Sequence, residues 1–215
     1  MASIPLREAR RKANPLVRGR QFLKQWTLFA RQFAKHPGMI GSIIPSSSML
    51  VDSMLAGVDW ERTRLLVEYG PGVGTFTRPI LDHMHPDATL LAIDLNVDFI
   101  TYLREEVRDP RLRAVHGSAV DVRRLIAETG HAQADYILSG LPFSTLPAGV
   151  GDRICAETEA MLRPGGAFLV YQYSAYVRRL LLPAFGHVEA GVEWKNIPPC
   201  RIFRAFKREA IAQAA

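Results

Sequence analysis

Val67-Glu68-Tyr69-Gly70-Pro71-Gly72-Val73-Gly74 is the stretch whose reading decides the fold. The apolar run Leu65-Leu66-Val67 ends in an acid, and glycines follow at every second position. Glycine reaches positive φ and lets backbone approach a ligand with no Cβ in the way. A strand that breaks into such a loop and then into a helix builds a nucleotide-cofactor cradle. Leu90-Leu91-Ala92-Ile93 predicts the next buried strand. Its closing Asp94 can accept both hydroxyl hydrogens of a ribose.

The dinucleotide fingerprint G-x-G-x-x-G/A does not fit, because the third glycine comes one position early and Thr75 stands where Gly or Ala is required. Glu68 also puts a negative charge at the strand end, which is awkward beside pyrophosphate and suits a cationic ligand. On Glu68, Gly70, Gly72, Gly74 and Asp94 the segment resembles the first motif of the Rossmann-like methyltransferases. That resemblance implies S-adenosylmethionine as cofactor and S-adenosylhomocysteine as product. Glu68 is then expected to orient the charged methionine end, with Gly70, Pro71, Gly72 and Gly74 as the cradle. Asp94 holds the ribose with Leu95 beside it, Ser118 and Ala119 border the adenine, and Gly140 lines the site. Ser42 and Ile43, in a compact turn upstream, cover the methionine end.

The 215 residues are 48% hydrophobic, enough for one domain with an extension. No apolar run approaches the ~20 residues that span a bilayer. The N-terminus is charged from Arg7 onward and shows no apolar signal core. Cys155 and Cys200 lie far apart, and His83 and His85 are too few for a ligand set, so no metal is expected. Reduced thiols are expected, as in a cytosolic protein.

The net charge of +6 is unevenly placed. Residues 1–36 hold nine Lys and Arg against the single acid Glu8, a net +8, and the remainder sums to −2. Such asymmetry points to an anionic partner. From about Val17 to Lys35 the spacing predicts a helix, with Phe22, Leu23, Trp26, Phe29, Ala30 and Phe33 on one stripe. Lys24, Arg31 and Lys35 lie roughly opposite. A basic face and an aromatic face describe a helix lying in a membrane interface. The same stripe can instead pack on the domain, and the two readings are compatible if the helix detaches. The expected division is therefore a basic leader and membrane-binding helix over 1–36, and a catalytic domain over 37–215.

After His36-Pro37-Gly38 a helix is expected from about Ser48 to Ala56, and then strands and helices alternate. Strands are expected near 64–69, 89–94, 112–116, 135–139, 167–173, 187–193 and 201–207. Helices are expected near 75–84, 97–107, 120–128, 148–162 and 175–183, with Pro164-Gly165-Gly166 as a stop and turn. This alternation predicts an α/β, Rossmann-like, doubly wound, mainly parallel seven-stranded sheet. The last two strands are joined too closely for a parallel crossover, so the final one is expected to run antiparallel. Ligands bind outside the carboxyl ends of such parallel strands.

Ser139-Gly140-Leu141-Pro142-Phe143 closes the fourth strand and resembles the N-L-P-Y/F signature of amine methyltransferases, with Gly140 replacing the polar residue. A backbone carbonyl at Gly140 or Leu141 can still accept from an ammonium, and Phe143 can supply a cation–π face. Further motifs are Gly41-Ser42-Ile43-Ile44-Pro45-Ser46-Ser47 and Trp194-Lys195-Asn196-Ile197-Pro198-Pro199. Together they make the chain resemble the bacterial phospholipid N-methyltransferases, which convert phosphatidylethanolamine towards phosphatidylcholine. The resemblance covers nearly everything after residue 20. It implies successive methyl transfers at an anionic membrane, by a protein held peripherally on the inner face of the cytoplasmic membrane, with no nucleic acid as partner. Either Tyr173 or Tyr176 is expected to orient the amine, and Lys195 and Arg201 to meet the phosphate. Two rival readings are a ribosomal RNA adenine dimethyltransferase and a non-catalytic membrane-binding module. Against the first stand Gly140 and the short tail after the last strand; against the second, the intact glycine loop and acids.

Overall fold

The computed structural model describes residues 48–208. Helix α1 is Ser48–Leu55; then come β1 (Leu65–Tyr69), α2 (Thr77–His83), β2 (Thr89–Asp94), α3 (Val97–Glu106) and β3 (Leu112–His116). They are followed by α4 (Val122–Ala127), β4 (Ala134–Ser139), α5 (Val150–Met161), β5 (Leu162–Gln172), α6 (Arg178–Phe185), β6 (Val188–Glu193) and β7 (Cys200–Phe206). The strand order is β3-β2-β1-β4-β5-β7-β6. Strands β1 to β5 pair in parallel, and β7 runs antiparallel to both β5 and β6. The mainly parallel sheet with an antiparallel last strand is therefore as the alternation implied.

Every residue of β1 and of β4 is buried, as expected of parallel strands covered on both faces. On one face Leu65, Val67 and Tyr69 of β1 meet Ile137, Phe168, Val170 and Phe203, under the apolar sides of α4, α5 and α6. Phe168 anchors this layer, stacked on Phe185 at 5.9 Å and edge-on to Tyr69 at 6.1 Å. Side chains alternate along a strand, so Leu66, Glu68, Leu90 and Leu138 leave on the other face. That face carries α1, against β5 and β6, and α2 and α3, against β2 and β3.

Two local expectations are corrected. Pro164-Gly165-Gly166 is not a turn outside the sheet: β5 starts at Leu162, directly after α5, and runs through it. The β4–β5 register shifts between Ala134 and Tyr136, and a Cβ on Gly166 would lie 2.7 Å from the Asp135 carbonyl oxygen. The glycines thus serve close backbone approach at an irregular strand start. The helix expected from 175 begins only at Arg178, because Ser174 Oγ accepts the Tyr176 N–H at 3.1 Å and forms a local turn first.

Asp135 closes the amino-terminal end of the central strands. Its carboxylate accepts the N–H groups of Arg64 at 2.7 Å and Leu65 at 2.9 Å, and pairs with Arg163 Nε at 2.5 Å. Replacing it with alanine leaves buried donors at the start of β1 without an acceptor. We expect Asp135→Ala to cost about 1–3 kcal/mol in denaturant unfolding. An unchanged unfolding midpoint would show that the clamp contributes nothing.

Candidate active site

Glu68 points away from the α4–α6 layer, since Val67 and Tyr69 on either side of it face that layer. Its side chain is 1% exposed and accepts the Thr77 hydroxyl hydrogen at 2.7 Å. Burial pushes the Glu68 carboxyl up to about 8; the Thr77 hydrogen bond opposes the rise and the charge of Asp94 adds to it. Asp94, ending β2, accepts the Asn96 N–H at 2.8 Å and the Gly72 N–H at 3.4 Å. Burial raises its carboxyl as well, against those hydrogen bonds. Two desolvated acids thus lie at the carboxyl ends of neighbouring strands, and burial disfavours the charged form of each.

The loops at this mouth are tied down at their roots. Gly70 N–H donates to Ile93 O at 2.9 Å, Gly140 N–H to Tyr69 O at 3.0 Å, and Gly117 N–H to Asp94 O at 3.0 Å. Gly74 has φ +80°, and a Cβ there would lie 2.8 Å from Leu103 Cδ2, so both backbone and packing require glycine. Leu95 is 69% exposed just beyond Asp94, while its carbonyl is held by His116 Nε2 at 3.0 Å. Ser118 Oγ accepts the Val120 N–H at 3.4 Å and caps the 3-10 turn Ala119–Asp121. Cradle, exposed apolar shelf and two acids form a donor set that fits S-adenosylmethionine: a carboxylate for its cationic end, another for its ribose hydroxyls, and Leu95 beside its base.

The acceptor side departs from several expectations. The Leu141 carbonyl is already occupied, accepting the Phe143 N–H at 2.9 Å and a hydrogen bond from Gln172 Nε2. It offers little to an ammonium. Phe143 does not present an open face: it is 2% exposed and packs edge-on to Phe168 at 6.4 Å, within the core layer. Tyr173 is half-buried and its hydroxyl is hydrogen-bonded by Asn196, whereas Tyr176 is 43% exposed. Arg201 opposes Gln172 in the β5–β7 ladder, and Tyr171 opposes Ile202. Arg201 therefore leaves the sheet on the face opposite to Tyr171. Lys195 is exposed in the β6–β7 loop, and its N–H bonds the Glu193 side chain at 2.9 Å.

Residues to which the sequence reading gave no role of their own join the site. Thr77 holds Glu68, Gln172 holds the Leu141 loop, and Tyr171 lies against Gly140 with its ring stacked on Phe76 at 4.8 Å. The period-two alternation of β5 carried a signal for Tyr171, since it shares a parity with Leu169 and not with Phe168. Ser42, Ile43, Phe22, Lys24, Trp26, Arg31, Phe33 and Lys35 lie outside the described residues. Among the described residues no helix is long and apolar enough to cross a membrane, and no group of three His, Cys, Asp or Glu could hold a metal ion.

Residues 66–166 match the family model of a methyltransferase domain. The ornithine lipid N-methyltransferase of Singulisphaera acidiphila is 31% identical over 183 residues, which cover 82% of this chain and 93% of that protein. Among solved structures, an O-methyltransferase from Bacillus cereus in complex with SAH aligns with a TM-score of 0.63 at 13% identity, covering 87% of this chain and 91% of that one. A 16S rRNA N2 methyltransferase of T. thermophilus, in complex with AdoMet and guanosine, aligns with a TM-score of 0.58 at 24% identity. It covers 78% of this chain but only 44% of its own, so the likeness is to one part of that enzyme. With its sheet order, its glycine loop and a relative matched nearly end to end, this chain belongs to the bacterial lipid N-methyltransferases, within the class I S-adenosylmethionine-dependent methyltransferases.

Proposed function

We propose that the chain methylates the headgroup amine of phosphatidylethanolamine and its mono- and dimethylated derivatives, towards phosphatidylcholine. The lipid-amine part of this reading is carried by the near full-length similarity to a lipid N-methyltransferase, and the choice of phosphatidylethanolamine follows the resemblance of the sequence motifs. Gly140 supports it, because the position that would hold a nucleobase in the amine methyltransferase signature has no side chain. The name of that relative favours one second acceptor, the amine of an ornithine lipid.

When bound, S-adenosylmethionine supplies an electrophilic methyl group on a positively charged sulfur. The protein's part is binding, orientation and exclusion of water. Glu68 orients the cationic end and Asp94 the ribose, while Leu95, Ser118 and Ala119 border the base. The acceptor amine has a pKa near ~10 in water, and only its neutral form can attack. Apolar and aromatic groups closing on the amine, with Leu141, Tyr173 and Tyr176 as the candidates, would disfavour the ammonium by desolvation. Lys195 meets the phosphate, since Arg201 leaves the sheet on the far face.

The basic region 1–36 is assigned to the membrane surface, with Phe22, Trp26 and Phe33 entering the interface and Lys24, Arg31 and Lys35 meeting anionic headgroups. Trp194, 74% exposed, and Ile197, 85% exposed, flank Lys195 in the β6–β7 loop and give the catalytic domain apolar contacts of its own. The protein then works from the inner face of the cytoplasmic membrane.

Incubation with methyl-labelled cofactor and vesicles tests the reaction. Label is expected in phosphatidylethanolamine headgroups; label only in ornithine lipid selects the second acceptor, and label only in added RNA overturns both. Replacing Lys24, Arg31 and Lys35 together by Glu is expected to cut binding to anionic vesicles at least about tenfold, at roughly 1 kcal/mol per cation. Undiminished vesicle sedimentation would remove that face from the membrane role.

Glu68 gives a pH test of cofactor binding. With a carboxyl near 8, the free protein must surrender a proton before Glu68 can meet a cation. Affinity for S-adenosylmethionine is therefore expected to rise with pH from about 6 towards 8, by up to about tenfold per unit, with proton release in calorimetry. Glu68→Gln is expected to bind more weakly and to lose this rise. A wild-type affinity that is flat over the same range would show that the Glu68 proton is not displaced.

A further inference from the structure

We propose that the hydroxyl of Tyr171 takes the place of the polar side chain missing at position 140, and that it is the group accepting the N–H of the acceptor amine. The inference rests on the lipid N-methylation reading for its substrate and on geometry for its location.

Gly140 does not have a positive φ, so its backbone does not demand glycine. The space around it does. A Cβ at position 140 would overlap Tyr171 Oη outright, and would lie 2.8 Å from Cζ and 3.3 Å from Cε1 of the same ring. The phenol therefore fills the volume into which a side chain at position 140 would grow. Ser139 pairs with Val170, so one step further along the ladder Gly140 and Tyr171 are cross-strand neighbours. Glu68 pairs with Leu138, and Leu138 with Leu169, which puts Glu68 and Tyr171 on one face of the sheet.

The ring is held in place. Tyr171 is 9% exposed, and Phe76, at the end of the glycine loop, stacks on it at 4.8 Å with 27° between the planes. Burial, with the charge of Glu68 adding to it, pushes the phenol well above its usual range, so it stays protonated and is no base. A neutral phenol oxygen still has lone pairs to accept a hydrogen bond. Tyr173 is less suited, because Asn196 already bonds its hydroxyl.

The chemistry gives the role a signature. The amine lone pair forms the new N–C bond as the C–S bond breaks; the bonding pair leaves on sulfur, and the positive charge passes to nitrogen. After the first two transfers the nitrogen sheds a proton to water. A neutral primary amine offers two N–H groups to an acceptor, a monomethylated amine one, and a dimethylated amine none. An oxygen that aims the lone pair by accepting N–H thus serves the first two transfers and cannot serve the third.

The location is tested without cofactor or substrate, by thermal melts of Gly140→Ala, Tyr171→Ala and the double variant. Gly140→Ala should lower the melting temperature in the wild type, and that loss should shrink severalfold once the ring is gone; strictly additive losses would overturn the placement. The role is tested with vesicles of primary-amine and of dimethylated headgroups. Tyr171→Phe is expected to lower kcat about tenfold or more on the primary amine, with the Kd for S-adenosylmethionine unchanged and the rate on the dimethylated headgroup reduced less than about threefold. An equal loss on both headgroups, or none on either, would overturn it. Wild-type protein that labels no amino lipid at all would instead sink the lipid reading, and the melts would still decide where the hydroxyl lies.

Discussion

Strand β1 is buried on both faces and hydrogen-bonded along both edges, and much of the site follows from that constraint. A strand so enclosed has room for polar groups only at its two ends. At the amino end Asp135 gathers the first N–H groups. At the carboxyl end Glu68 is still inside the covered zone, with one hydroxyl and a neighbouring acid for company. The glycine loop follows at once because the chain must turn out of the sheet with minimal bulk. The enclosure that stabilises the sheet thus also raises the Glu68 carboxyl.

The architecture was largely legible because two periodicities alternate along the chain, and because a short link between β6 and β7 excludes a parallel crossover. The placing of the glycine loop and its two acids was legible for a related reason. Glu68 to Gly74 and Asp94 sit in contiguous runs at strand ends, where sequence spacing and spatial spacing coincide. The acceptor side depends on register and on which face each residue takes. Tyr171, Tyr173 and Tyr176 lie within six positions, yet one is stacked and buried, one is bonded to Asn196, and one is exposed. Phe143 looked like an open cation–π face and is part of the core, edge-on to Phe168. The Leu141 carbonyl looked free and is held by Gln172, thirty-one positions away in sequence. Pairings of that range leave no trace in local pattern.

The two halves of the mouth are built on different terms. The cofactor half is made of backbone and carboxylates fixed by short hydrogen bonds, with little scope for variation. The half proposed to meet the acceptor is made of a glycine and the rings near it, where a side chain at position 140 and the Tyr171 ring compete for one volume. A polar side chain on β4 or a phenol from β5 can occupy the same place, but not both. On the proposed role of Tyr171, nucleobase and lipid chemistry are exchanged on one fold by moving a functional group between adjacent strands.

Both cysteines are free and buried, Cys155 on the inner face of α5 and Cys200 at the start of β7. Burial pushes their thiols up to about 12 and about 11. Only a thiolate reacts readily with disulfides and alkylating agents, so the folded chain is nearly silent to both. Any opening of these layers turns that silence off at two places far apart in sequence. The native thiols are therefore built-in reporters: their rate of alkylation counts excursions out of the folded state, with no label added and no residue changed.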